Sequence, residues 1–384
     1  MNNQLRLTIL VIVVAVAGFS QGMLLPLIAV IFENSGLSSF LNGINSTALY
    51  IGILFTSPFM EPLLRKFGYK PLLVIGGLLV LISLVLFSLW QSFWYWFFLR
   101  MIIGIGDNAV NFTAQTWITE FSPEQKRGRN IALYGLSFGI GFAVGPLMVP
   151  LVNIHESLPF LISAGFSLVG WFLLFILRNE LPEQDLTMSS FRDTFRRFGQ
   201  AWRYAWIAFL PPFAYGFLET SLNGNFPVYA LRIGIEVSHV SALLFAFSIG
   251  AIVFQLPLGI IGDQLGRERL VTIVLLVGFL CFTVAGLMED YFYVLLVCLF
   301  TAGMFVGSMF SIGITYMTDL MPRNLLPTGN LLCGIFFSIG SLTGPSIGGL
   351  FIQFAPTTSF FYVISGLLLL LFLITFGRKI ARLS

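Results

Sequence analysis

Arg100 and Asp107 stand in an otherwise apolar stretch, Phe97-Phe-Leu-Arg100-Met-Ile-Ile-Gly104-Ile-Gly106-Asp107-Asn108. Seven residues are two helical turns, so the two side chains share nearly one face, about 10 Å apart. A charge at the centre of a bilayer costs at least ~2.5–3.5 kcal/mol, and it needs a partner, a proton or water. A carboxylate in partly dry surroundings favours its neutral acid, and a nearby cation opposes that preference. The chemistry this pair could perform is proton capture and release, with Asp107 as the acceptor and Arg100 as the cation that tunes it. A fixed packing network of Asp107 with Arg100 or Asn108 is the competing reading.

Glu219 is the third such charge, one turn before Asn223 on the same face. It reads either as a cavity carboxylate touching solute or proton, or as a group held locally by Asn223. The amides Gln21, Asn42, Asn45, Asn108, Asn111, Gln115, Asn223 and Asn225, with Trp117, could add polar contacts to a solute. Each is also a candidate for an interhelical hydrogen bond. His155 and His239 are far apart in sequence and no metal-ligand spacing occurs, so no metal is expected. A phosphate-cradling glycine loop with lysine is missing, which argues against ATP hydrolysis.

These residues must be positioned by membrane helices. Of 384 residues, 57% are apolar and 10% charged, against about 25% charged in soluble domains. Runs of about 20 apolar residues without strict alternation exclude a β-barrel, and only helices satisfy every backbone group in them. A soluble enzyme is excluded. Cys281, Cys298 and Cys333 lie inside apolar runs and read as buried thiols rather than a disulfide. The first apolar run is long for a signal peptide and has no Ala-x-Ala-like exit, so it is expected to be a retained span.

Twelve spans are predicted, near 6–31, 40–64, 71–92, 94–120, 129–152, 158–177, 204–230, 239–262, 269–288, 291–318, 327–353 and 357–377. They group as a bundle over 1–177, a polar linker over 178–203 and a second bundle over 204–384. The linker could form an amphipathic surface helix, with Phe191, Phe195 and Phe198 among Arg192, Arg196 and Arg197, or only a few helical turns. With both termini in the cytoplasm, 18 of the 20 Lys and Arg fall on that side, Arg232 alone falls outside, and Arg100 lies in a span. The halves repeat: Gly18-Phe19 matches Gly216-Phe217, Gln21 matches Glu219 and Gly68 matches Gly266, all at an offset of 198. Pro123 matches Pro322, and Gly145-Pro146 matches Gly344-Pro345, at 199. A duplicated six-helix unit around a central cavity is an alternating-access architecture.

Gly259-Ile-Ile-Gly-Asp263-Gln-Leu-Gly266-Arg267-Glu-Arg269 resembles the loop motif of the major facilitator superfamily, with Gln264 in the first basic place. Gly259 is expected to admit a neighbouring helix and Gly266 to make the tight turn. The first-half copy departs from the pattern, with Glu61 in place of the glycine and Arg65 in place of the aspartate, ahead of Gly68. Glu61 and Arg65 read as a local ion pair. Arg100-x3-Gly104-x-Gly106 resembles the fourth-helix motif. Gly141-x3-Gly145-Pro146 resembles the fifth-helix motif of drug/proton antiporters without its trailing glycine pair, which Gly348-Gly349 supplies after Gly344-Pro345 in the eleventh span. Glu120 and Asp319 match at 199, and the basic loop with Arg127 near Glu120 suggests a gate of ion pairs.

The resemblance implies a bacterial inner-membrane secondary transporter. It has no cofactor beyond a coupling proton and no nucleic-acid partner, and it works as a monomer in the lipid bilayer. Proton-driven efflux of a small amphipathic or cationic organic solute is the favoured form. A metabolite importer, a lipid-handling transporter and a non-transporting sensor or scaffold are the alternatives.

Overall fold

The computed structural model describes residues 3–182, 191–322 and 325–383. Among them are fifteen α-helices and two short 3-10 segments. The first seven helices are α1 (Asn3–Asn34), α2 (Ser39–Phe67), α3 (Tyr69–Phe87), α4 (Phe93–Phe121), α5 (Glu124–Val144), α6 (Leu158–Leu174) and α7 (Phe191–Ala205). Then come α8 (Leu210–Gly224), α9 (Phe226–Arg232), α10 (Val237–Leu265), α11 (Arg267–Leu287), α12 (Phe292–Val306), α13 (Met309–Leu320), α14 (Leu326–Phe354) and α15 (Phe361–Leu383). The chain divides into two compact units. The first holds residues 1–37, 44–185 and 236–241, and the second holds 38–43, 186–235 and 242–384.

Three expected spans are interrupted, each where the backbone ladder meets proline or glycine. The fifth changes from α5 to a 3-10 segment over Gly145–Asn153, which contains Pro146 and Pro150. The seventh breaks at Asn225, between α8 and α9, just before Pro227. The tenth breaks at Gly307 and Ser308, between α12 and α13. In the linker, α7 buries Ala201 and Ala205 and stacks Trp202 on Phe209 and Phe336, while Arg196, Arg197 and Arg203 stay exposed. The side chains of Glu61 and Arg192 lie outside the described residues, and so does the expected Glu61–Arg65 pair.

Among the described residues eight helical stretches are long and apolar enough to cross a membrane. The 29-residue helices α2 and α4 do not meet that standard. They are the helices that carry Asn42, Asn45, Arg100, Asp107, Asn108 and Asn111, so polarity is concentrated where a site is expected.

The duplication is visible in the backbone. Among the described residues the four with positive φ are all glycines, Gly36 and Gly68 at 76° and 85°, Gly234 and Gly266 both at 84°. They form two pairs, each 198 apart, and each closes a tight interhelical turn that a Cβ would strain. Helix contacts repeat as well. In the first unit α1 meets α5, where a Cβ on Gly141 would stand 2.0 Å from the Ala15 carbonyl oxygen. In the second unit α8 meets α14, and a Cβ on Gly340 would stand 2.1 Å from the Phe213 oxygen. Small residues here let two backbones touch, so the antiporter-like glycines perform a packing task in both halves. Gly141→Ala is expected to cost ~1–3 kcal/mol through overpacking against a backbone that cannot retreat. Gly135→Ala, with open space around its Cβ, should be neutral. Thermal unfolding in detergent separates the two.

Candidate functional site

Arg100 is 1% exposed and tightly held. Its Nη1 donates to Ser46 Oγ at 3.1 Å, and its Nη2 donates to the carbonyls of Leu24 at 3.1 Å and Leu25 at 3.4 Å. Those carbonyls precede Pro26, where the hydrogen-bond ladder of α1 is interrupted. The guanidinium joins α4 to α1 and α2, as an added donor to carbonyls within α1. It is a fixed anchor, and the Arg100–Asp107 network considered from the sequence is not formed.

Asp107 is 2% exposed, and neither carboxylate oxygen has a hydrogen-bond partner. It borders a cavity of about 30 Å³ inside the first unit, walled by α1, α3, α4 and α6. Val13, Ala17, Val80, Trp171 and Leu174 make most of the wall, which Ser167 also lines. Beside it α3 and α4 touch backbone to backbone, because a Cβ on Gly106 would stand 2.6 Å from the Gly76 oxygen. An anionic carboxylate with no donor and no cation is untenable in such a setting. The arrangement suits a neutral acid that releases its proton only when water or a donor reaches it. Asn108 does not turn toward the carboxylate. Its Nδ2 donates across to α2, to the Ile53 carbonyl and to Thr56 and Ser57.

The second unit holds Glu219, half-buried on α8. Tyr215 Oη donates to its Oε1 at 3.4 Å. Asn223 does not hold the carboxylate, because its Nδ2 donates to the Glu219 backbone carbonyl at 2.8 Å. Tyr215 in turn stacks on Phe337 at 6.0 Å, and Phe310 meets Phe337 edge-on at 5.3 Å. A carboxylate hydrogen-bonded into a half-buried aromatic cluster can receive a lipophilic cation by charge and by cation–π attraction. Sequence reasoning found Glu219 and Asn223 but missed Tyr215, Phe310 and Phe337. Among 42 phenylalanines no single one stands out.

The amides divide into structural and open groups. Asn225 is fully buried and donates to the Pro345 carbonyl at 3.1 Å, fastening the break between α8 and α9 to α14. Asn45 donates to the Phe93 carbonyl, and Asn111 donates to the Asp107 carbonyl while its Oδ1 accepts from Tyr134. Gln21 and Asn42 are buried and Gln115 is exposed. Trp117, expected at a solute, is instead a core residue of the first unit. It is 1% exposed, lies parallel to Tyr69 at 4.9 Å and donates to Glu180 Oε2 at 3.0 Å.

That tryptophan belongs to a network at the basic-loop end of the first unit which the sequence did not announce. Arg6 binds Glu180 through both terminal nitrogens, at 2.7 and 2.5 Å, and lies over the rings of Trp117 and Phe121. A forked, ring-stacked arginine of this kind ties the start of α1 to the chain leaving α6. Arg6→Ala strands Glu180 and uncovers two rings. Discounted for the exposure of Glu180, the expected loss is about 1–2 kcal/mol. Arg6→Lys should recover only part of it, as judged by unfolding temperature.

In the second unit the loop motif forms a charged triad. Arg267 donates to Asp263 at 2.7 Å, to Asp319 at 2.6 Å and to the Thr315 carbonyl at 3.2 Å. The first unit places Tyr69 where Arg267 stands, offset 198, and Tyr69 Oη donates to Glu120, the counterpart of Asp319. Glu120, expected from the sequence at a gate with the loop of Arg127, accepts this tyrosine hydroxyl. Arg65 occupies the place of Asp263, so an arginine–aspartate clamp exists in one half alone. Gly259, expected at a close helix approach, has no atom within 4 Å of its would-be Cβ, and Gly262 is the crowded position, 2.9 Å from Leu270. Arg269 is exposed. Gly145 packs on Met23 and Gly344 on Phe217.

Comparison with known proteins agrees with this architecture. The Major Facilitator Superfamily pattern matches residues 10–238 and 208–382. An uncharacterized MFS-type transporter, YfkF of Bacillus subtilis (strain 168), is 54% identical over 357 residues, covering 93% of this chain and 91% of that protein. Multidrug resistance protein 2 of the same organism is 22% identical over 344 residues, covering 87% and 86%. The fold is that of a crystal structure of a mutant nucleoside transporter NupG, with a TM-score of 0.82 over 97% of this chain and 99% of that one, at 14% identity. The chain is an all-helical, multi-pass bacterial membrane protein and not an enzyme; it belongs to the major facilitator superfamily, whose two-bundle, alternating-access transporter architecture it shares.

Proposed function

We propose that the protein is a proton-coupled exporter of a small amphipathic or cationic organic compound. The observation that carries this reading is Asp107, a carboxyl buried to 2% exposure with neither oxygen paired. Such a group binds a proton strongly when its cavity is dry and yields it when the cavity is wet. A conformational cycle that alternates the two states moves one proton per turn. Glu219 with Tyr215, Phe310 and Phe337 supplies a site whose chemistry suits a lipophilic cation. Similarity to a multidrug resistance protein over 87% of the chain supports export of organic solutes. The distribution of basic residues favours both termini in the cytoplasm.

The test uses inside-out vesicles carrying a pH-sensitive dye that reports an imposed proton gradient. Lipophilic cations and neutral amphiphiles are added in parallel to the wild type and to Asp107→Asn at equal expression. Rapid gradient loss in the wild type alone is the expected result. Equal responses in the two would remove Asp107 from coupling. No wild-type response to any compound, with folded protein, would overturn drug-like export and direct the search to metabolites and lipids. A companion variant, Glu219→Gln, should weaken the response to cations about tenfold or more, with little change for neutral amphiphiles.

A further inference from the structure

Three serines in the first unit meet where α1 packs on α6. Ser20 Oγ lies 2.9 Å from Ser163 Oγ and 3.4 Å from Ser167 Oγ, and all three are buried. Ser167 also lines the Asp107 cavity, so the hydroxyls end at the wall that the unpartnered carboxyl faces. Among the residues lining that cavity Asp107 alone is titratable, because α1, α3 and α6 contribute Val13, Ala17, Val80, Trp171 and similar side chains. The volume of about 30 Å³ admits one or two water molecules.

The chain of hydroxyls has a direction. Helix α6 runs toward the basic-loop end, where Lys70 Nζ donates to the Phe175 carbonyl at 2.9 Å. Ser163 lies one turn before Ser167, about 6 Å farther from that end. The contacts therefore lead from the cavity away from the basic loops, toward the face that proton-driven export must draw protons from.

Resting on the proton-coupled reading above, we infer that Ser163, Ser20 and Ser167, with cavity water, form a proton path from the outer half of the first unit to Asp107. Each hydroxyl accepts a proton on an oxygen lone pair and passes its own proton onward. One proton enters at Ser163, one arrives on the Asp107 carboxylate, and nothing is consumed. The glycine at 170 widens the path, since a Cβ there would find its nearest neighbour, Val16, at 3.8 Å.

The experiment follows the carboxyl C=O infrared band of Asp107, defined by its loss in Asp107→Asn, after an acid jump from an alkaline pH that ionises it, on liposome-embedded protein with no solute present. Ser20→Ala and Gly170→Val, the second plugging the cavity without touching Asp107, are expected to slow the appearance of the band by about tenfold or more. Ser20→Thr, which keeps a hydroxyl, should remain near the wild-type rate. Unchanged unfolding temperatures identify the variants as folded. Wild-type rates in both Ser20→Ala and Gly170→Val would overturn the path and leave proton coupling standing. A wild-type protein with no such band at any pH would overturn the path and the role of Asp107 together.

Discussion

Replacing Asp107 with asparagine is expected to yield a folded protein that no longer accumulates or extrudes solute against its gradient. The substitution preserves shape and imitates the protonated acid, so the apolar cavity it faces is undisturbed. What is lost is the ability to release a proton. Gradient-driven transport should fall by about a hundredfold or more, the scale set by losing a positioned proton-transfer group. Solute exchange at equal concentrations on both sides, which needs no net proton movement, should persist within a few-fold. Asp107→Leu should behave alike in transport, because a side chain with no interaction partners leaves none stranded. If asparagine and leucine variants unfold while wild type does not, the carboxyl is structural and the account fails at this point.

The second large effect concerns Arg100. Alanine there deletes a fully buried guanidinium with its bonds to Ser46 and to the Leu24 and Leu25 carbonyls, and opens a cavity between α4, α1 and α2. The expected cost is about 3–5 kcal/mol, combining lost hydrogen bonds to a charged donor with cavity formation. It should appear as a sharp drop in unfolding temperature and in the yield of inserted protein. Lysine retains the charge but not the fork, so it should fall between alanine and wild type. An Arg100→Ala protein with wild-type unfolding temperature and lost coupling would reverse the assignment, making the arginine a titration partner and not an anchor.

Much of this fold is written in patterns that survive without side-chain detail. Apolar runs between basic loops locate the membrane helices, and offsets of 198 and 199 announce the duplication, because turn glycines and helix-contact glycines are constrained by backbone geometry alone. The repeated Gly68 and Gly266 illustrate it. What stays hidden is which way a residue faces. Asp107 and Arg100 share a helix face as periodicity requires, yet α1 offers Arg100 its carbonyls at Pro26 and leaves Asp107 with none. Trp117 reads as a polar-capable aromatic near a site, but Glu180, 63 residues on, claims its N–H. Asn225 looks like a ligand and serves a helix break. Tyr69 could have been found by carrying Arg267 back across the repeat, and the rings joined to Glu219 through Tyr215 could not, since phenylalanine is everywhere in this chain.

The most direct measurement is transport in proteoliposomes loaded with tetraphenylphosphonium, with the membrane potential clamped at zero and only a pH difference imposed. The cation should leave faster than its own gradient dictates when the receiving side is acid, and reversal of the pH difference should reverse net flow. Asp107→Asn should equalise the two directions. Flux that ignores the pH difference in the wild type, with the protein folded and the cation moving, would contradict proton exchange as the driving reaction.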